Sequence, residues 1–356
     1  MTAIYSMLHM LVDGICALSV FGYFLLREDG YTSLLLYNFC AFALQMPLGA
    51  LLDLQNQNQK KTNADRALWF ALLGVVLTLI GPLTHPVVLG VGNALFHVGG
   101  GVGTIREDAA KGWRGRGLGV FVAPGALGLY LGMRMAKQGL LRAGLVSATL
   151  LLLAGGIAAG ILHKRYQCAD QNGVLDEKKQ TAHIAAEGNR TSCLWLAGCC
   201  LNVVILRSYI GMAVSFSWKQ IPFLGLLSVL SVVCGKTAGG FLAARFGTCK
   251  VVVVSLLLAA VGYLGSAVAP IGLIALFCFN MTMPITLYLL ICAYPRLPGF
   301  CFGLLTFGLF LGFLPSYLGM GRSVSGEIVG SVGSLISLVL LGIGIRMGGR
   351  SERILD

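Results

Sequence analysis

The sequence predicts an all-α integral membrane protein, with twelve transmembrane helices in two six-helix bundles related by pseudo-twofold symmetry. Three observations carry this. The 356 residues are 56% hydrophobic and only 11% charged, with a mean hydropathy of +0.82, whereas a soluble domain carries about a quarter charged residues. Twelve apolar runs approach the length of about 20 residues that a spanning helix needs. One long polar stretch, 163–191, leaves six runs on each side, and a similar loop pattern occurs in both halves.

In the first half the runs cover 4–26, 31–54, 67–84, 86–106, 117–135 and 140–163. In the second they cover 192–216, 221–243, 250–269, 271–294, 299–320 and 326–346. The first run has neither a basic leading segment nor a small-residue cleavage site, so it is expected to be a retained helix rather than a signal peptide. Loops between runs are short, and no appended soluble domain is expected. The expected organisation is an N-terminal bundle at 1–163, a cytoplasmic linker at 164–191 and a C-terminal bundle at 192–356.

A net charge of +12 would suggest nucleic acid in a soluble protein. Here the basic residues fall between apolar runs, where they hold loops against anionic lipid, and no nucleic-acid partner is expected. Placing the N-terminus inside puts 18 of the 26 Lys and Arg residues on inner loops and the tail, against 6 on outer loops. Arg207 and Lys236 remain, both within helices. The expectation is a multi-pass protein of the cytoplasmic membrane with both termini cytoplasmic. Most of the eleven cysteines lie in apolar runs such as "LAGCCLN". Their odd number and irregular spacing argue against a disulfide framework.

The loop pattern is "PLGALLDLQNQNQKK" at 47–61 and "AGGFLAARFGTCK" at 238–250, each at the inner end of the second run of its half. Gly49 and Gly240 align, Asp53 follows in the first copy, and Ala244 and Arg245 follow in the second. A carboxylate at a helix end can latch onto a basic residue of a neighbouring helix in one conformation; a plain topological anchor is the alternative. The pattern resembles the loop signature of the major facilitator superfamily. That resemblance implies two parallel six-helix halves and a central cavity lined by the first, fourth, seventh and tenth helices.

Each of those four runs carries polar residues near its middle: His9 and Asp13; Asn93 and His97; Arg207 and Tyr209; Asn280 and Thr282. Ionisable groups inside a bilayer cost several kcal/mol and mark functional positions. His9 and Asp13, four apart, share a helix face, and a carboxylate beside an imidazole can load and release a proton. An internal pair that only orients helices is the alternative. Arg207 offers a planar fork suited to carboxylate or phosphate; it either binds an anionic solute, balances Asp13 or faces lipid. His9, Asp13, Phe96, His97, Leu206, Arg207, Ser208 and Tyr209 together resemble the fosmidomycin-resistance branch of the superfamily, though Val98 stands where that branch usually has proline. The fifth run, "GVFVAPGALGLYLG", is similar to a glycine–proline motif of proton-coupled exporters.

The expected function is secondary active transport, by alternating access, of a small anionic or amphiphilic solute, drug efflux by antiport included. A proton is the expected coupling ion, no other cofactor is expected, and the chain is expected to act as a monomer and not as an enzyme. The site would comprise His9, Asp13, Asn93, His97, Arg207, Tyr209, Asn280 and Thr282, with Gly49, Asp53, Gly240 and Arg245 as the conformational latch. A divalent cation bound by His9, Asp13 and His97 is the competing cargo, opposed by the fixed charge of Arg207. A lipid-modifying enzyme would need a carboxylate cluster or a nucleophile beside a base, and neither pattern occurs. A receptor or scaffold would have little use for polar groups at matching depths.

Overall fold

A helix satisfies every backbone hydrogen bond internally, which is what a chain of apolar runs needs inside a bilayer. The computed structural model describes residues 1–57, 65–171, 190–320 and 325–348. Its spans are α1 (Thr2–Leu26), α2 (Gly30–Asn56), α3 (Arg66–Leu83), α4 (Pro86–Ala110), α5 (Arg116–Lys137), α6 (Leu141–His163), α7 (Thr191–Ala213), α8 (Pro222–Phe246), α9 (Thr248–Leu264), α10 (Ala269–Ala293), α11 (Pro298–Tyr317) and α12 (Gly326–Met347). Among the described residues, eleven of these are long and apolar enough to cross a membrane, and α9 is the short one at 17 residues.

One boundary differs from the sequence expectation. The helix of α6 continues to Gln171, into the stretch read as linker. Residues 164–171 contain neither glycine nor proline and are mostly good helix formers, so nothing stops the helix there. The rest of the expected linker, 172–189, lies outside the described residues, as do Lys60, Lys61, Arg322, Arg350 and Arg353.

The two halves pack alike. In the first, α1 lies against α5 and α6, and α3 against α4; in the second, α7 lies against α11 and α12, and α9 against α10. Between halves, α2 meets α11 and α5 meets α8. Exchanging the halves converts each of these pairs into another of them, which is the expected pseudo-twofold relation. Lipid provides no hydrophobic drive between helices, so close backbone approach has to hold them together.

The α2–α11 seam shows the approach at the face that carries Met1. A Cβ on Gly49 would stand 2.0 Å from the Gly299 carbonyl oxygen. Asp53, one turn further on, accepts hydrogen bonds from the Gly299 N–H at 3.0 Å and the Phe300 N–H at 2.8 Å. Asp53 thus contacts the opposite half, and its hydrogen-bond partner is the N-terminus of α11 rather than a basic side chain. Free N–H groups and the positive end of the dipole meet the carboxylate there. In the second copy Gly240 abuts the Gly115 backbone across the α5–α8 seam. Arg245 is exposed beside Phe246 and takes no part. At the opposite face α2 and α11 meet again: the Tyr31 and Tyr317 rings stack 4.0 Å apart, and each hydroxyl donates to the other residue's carbonyl.

Asp53→Ala removes two charge-assisted hydrogen bonds between the halves, each worth about 1.5–3 kcal/mol. Pulsed electron resonance between spin labels on the Met1-face ends of α2 and α11 should then show a larger separated population. An unchanged distance distribution would rule out the latch.

Candidate functional site

The break in α5 builds the site. This span consists of Arg116–Val122 and Gly125–Lys137, interrupted at Ala123 and Pro124. Proline has no N–H to give the preceding turn, and the last carbonyls of a helical segment lack partners within it. Three successive ones find partners elsewhere. The Ser6 hydroxyl donates to Val120 O at 2.6 Å, His9 Nδ1 lies 2.7 Å from Phe121 O, and Lys236 Nζ donates to Val122 O at 3.3 Å. Ser6 and His9 belong to α1 and Lys236 to α8, so the break ties α1 to α5 and crosses between halves.

His9 and Asp13 meet as their spacing predicts, Nε2 to Oδ2 at 3.1 Å. α4 completes the cluster. His97 Nε2 lies 2.9 Å from His9 Nε2 and 3.6 Å from Asp13 Oδ1, and Asn93 Nδ2 donates to Asp13 Oδ1 at 3.1 Å. His97 Nδ1 faces the Asn93 carbonyl at 2.8 Å. All four residues are buried. Gly125 lets the cluster pack against α5: a Cβ there would stand 2.3 Å from His9 Nε2 and 2.5 Å from Asp13 Oδ2.

The cluster forms one wall of a cavity of about 150 Å³ between the halves. Arg207 from α7 and Lys236 from α8 stand on the second-half side, with Gln45 of α2, Thr286 of α10 and Thr306 of α11 also lining it. The remainder is apolar, including Phe42, Leu129, Met283 and Phe302. Arg207 Nη1 is buried without a hydrogen-bond partner among the described residues, as is Gln45 Oε1. Asp13 pairs with the two histidines and not with Arg207. Arg207 therefore faces neither lipid nor a resident carboxylate. The cavity holds one carboxylate against two basic side chains, of which the Arg207 guanidinium is a permanent charge.

Of the sequence candidates, His9, Asp13, His97 and Arg207 line the cavity, and Asn93 supports it from behind. Tyr209 does not line it, because two residues along a helix turn a side chain by roughly 200°. Asn280 and Thr282 do not line it either. They hydrogen-bond the Leu276 and Phe279 carbonyls of their own span, where α10 divides at Met281. Sequence reasoning missed Lys236, whose signal was plain: a lysine within a long apolar run. It also missed Gln45, which follows a stretch of π-helix at Phe39–Ala43, a distortion common at functional sites. Helices α2, α5, α8 and α11 contribute to the walls as well as α1, α4, α7 and α10.

Gly125→Ala should force a methyl into the His9–Asp13 contact, and overpacking of this kind costs about 1–3 kcal/mol. A thermal midpoint equal to that of the unsubstituted protein would show that the cluster does not pack against α5 in this way.

No family model matches the sequence, and no curated protein matches it. Solved structures do. The human organic anion transporter MFSD10 (TETRAN) is similar with a TM-score of 0.64 at 14% identity, over 96% of this chain and 98% of that one. The E. coli fucose:proton symporter FucP is similar with a TM-score of 0.57 at 13% identity, over 96% and 97% of the two chains. FucP in its outward conformation gives 0.55 at 14% identity, over 97% and 99%. At such identities the likeness concerns the fold, and with the pairing of helices described above it shows that this chain has the major facilitator fold.

Proposed function

We propose that the chain is a secondary transporter that moves a small anion with an apolar body by alternating access, with a proton as coupling ion. The observation that carries this is the partition of the cavity. Arg207 and Lys236 face it from the second half, and His9, Asp13 and His97 face it from the first. A solute between them contacts both halves, which is what lets binding bias a rocking motion. The excess of basic over acidic side chains favours an anion, and the unpartnered guanidinium nitrogen offers it a donor. The volume equals roughly five water molecules, and the apolar wall suits a short hydrocarbon body. Among structures of this fold, one similar protein is an organic anion transporter and another a proton symporter; both support the reading. The basic residues of the Met1 face support a cytoplasmic position for that face.

His9, Asp13 and His97 also bring three metal-ligating atoms within 4.8 Å of one another, which makes a divalent cation the competing cargo. The permanent charge of Arg207 in the same low-dielectric cavity opposes it. Flux into liposomes under a proton gradient, imposed in either direction, tests both: small organic anions should accumulate and divalent metals should not. Metal accumulation without anion flux would overturn the proposal.

Two substitutions refine it. Arg207→Lys should fold and should weaken anion binding by roughly tenfold to a hundredfold, the equivalent of about 1.5–3 kcal/mol for a hydrogen bond to a charged group. Unchanged affinity in an equilibrium binding titration would remove Arg207 from the solute site. Asp13→Asn should abolish gradient-driven accumulation while leaving solute exchange across the membrane intact. Full accumulation in that variant would separate Asp13 from coupling.

A further inference from the structure

The contacts around the histidine pair constrain where its protons can sit. His9 Nδ1 lies 2.7 Å from the Phe121 carbonyl oxygen and His97 Nδ1 lies 2.8 Å from the Asn93 carbonyl oxygen. A carbonyl only accepts, so each Nδ1 has to donate; a bare nitrogen at that distance would set lone pair against lone pair. Both Nε2 atoms would then be bare in the neutral imidazoles. Yet they stand 2.9 Å apart, with Asp13 Oδ2 3.1 Å from the first and Oδ1 3.6 Å from the second. Three acceptors converge on one point in a buried site.

We infer that His9 and His97 bind one proton between their Nε2 atoms, in an N–H···N hydrogen bond with Asp13 as counter-ion. Protonation of the Asp13 carboxyl instead would leave the two bare nitrogens facing each other. With the proton on the His9 side, His9 donates to Phe121 through Nδ1 and shares its one Nε2–H between His97 and Asp13, so no two bare acceptors face each other across these contacts. The cluster is then neutral, one imidazolium against one carboxylate. Loss of the proton leaves it with a charge of −1 facing Arg207 and Lys236.

The other polar neighbours do not alter the count. Asn93 Nδ2 already donates to Asp13 Oδ1 and to the Cys16 sulfur. Arg207, Lys236 and Gln45 line the cavity without a hydrogen bond to the cluster. The Phe121 and Asn93 carbonyls thus act as positioning groups: they turn both imidazoles the same way and make the pair a proton site. The distance between the nitrogens is that of a hydrogen bond. The role of this proton in coupling rests on the transport reading above; its presence does not.

The test needs no solute. The full chain, with histidine labelled in the heavy nitrogen isotope, is placed in lipid bilayers and read by solid-state magnetic resonance at neutral pH. Of the five histidines, two should appear as a cationic and a neutral imidazole, both protonated at Nδ1. They should share a coupling between Nε2 atoms through the hydrogen bond. His97→Gln should remove that coupling together with the neutral partner. Two neutral imidazoles without Nε2 coupling in the unsubstituted chain would overturn the inference, whether or not any variant folds. Absence of flux in liposomes with the coupling present would instead count against the transport proposal alone.

Discussion

The structure around the cavity depends on one constraint: a carboxylate, Asp13, is buried in an apolar bundle and has to be given donors. α1 alone cannot supply them, since its backbone N–H groups are used within the helix. Asp13 therefore draws His9 from its own face and Asn93 from α4, with His97 of α4 held against His9. Those contacts set the rotation of α1 and α4 about their axes and fix which residues face the cavity. Packing α5 against the same group then requires a glycine, since any Cβ at 125 would overlap both His9 and Asp13. An apolar pair in the place of His9 and Asp13 would pack with less penalty. The polar cluster gives the first half a titratable wall, which apolar residues cannot.

The break in α5 extends that constraint to the second half. A continuous helix would use its carbonyls internally and offer none to a neighbour. With the interruption at Ala123 and Pro124, Phe121 holds His9 while Val122, one residue later, holds Lys236 of α8. A displacement of α8 relative to α5 therefore acts on the same short segment that orients the histidine.

Much of the fold was legible because the bilayer imposes it. Apolar runs of spanning length, a polar midpoint and basic loops give twelve helices in two halves without any knowledge of packing. The site was legible in part. His9 and Asp13 lie on one helix and their spacing alone joins them, and an ionisable residue within an apolar run marked His97 and Arg207. Tyr209, Asn280 and Thr282 were misplaced because depth says nothing about rotation. Tyr209 is turned from the cavity, and the other two serve the division of α10. Gln45 reaches the cavity after a local π-helical stretch, a backbone event that no periodicity in the sequence announces. Contact between the histidines was hidden too, since it joins residues 88 apart.

The two seams between halves explain why one loop copy keeps its aspartate and the other does not. Under the pseudo-twofold relation the N-terminus of α11 corresponds to that of α5, and each needs an acceptor for its free N–H groups. At α11 the acceptor comes from the opposite half: Asp53 takes the N–H groups of Gly299 and Phe300. At α5 it comes from the same half: Asp108, at the end of α4, takes the N–H groups of Gly115 and Gly117 at 2.8 Å and 2.7 Å. With that helix end already satisfied, a carboxylate at position 244 would have no donors waiting for it, and alanine stands there. Separating the halves would therefore break hydrogen bonds to a charged group at the α2–α11 seam. At the Met1-face end of the α5–α8 seam it would part the Gly115 and Gly240 backbones, which meet through van der Waals contact. The symmetry of the helices is thus kept while the contacts at the Met1-face ends of the two seams differ.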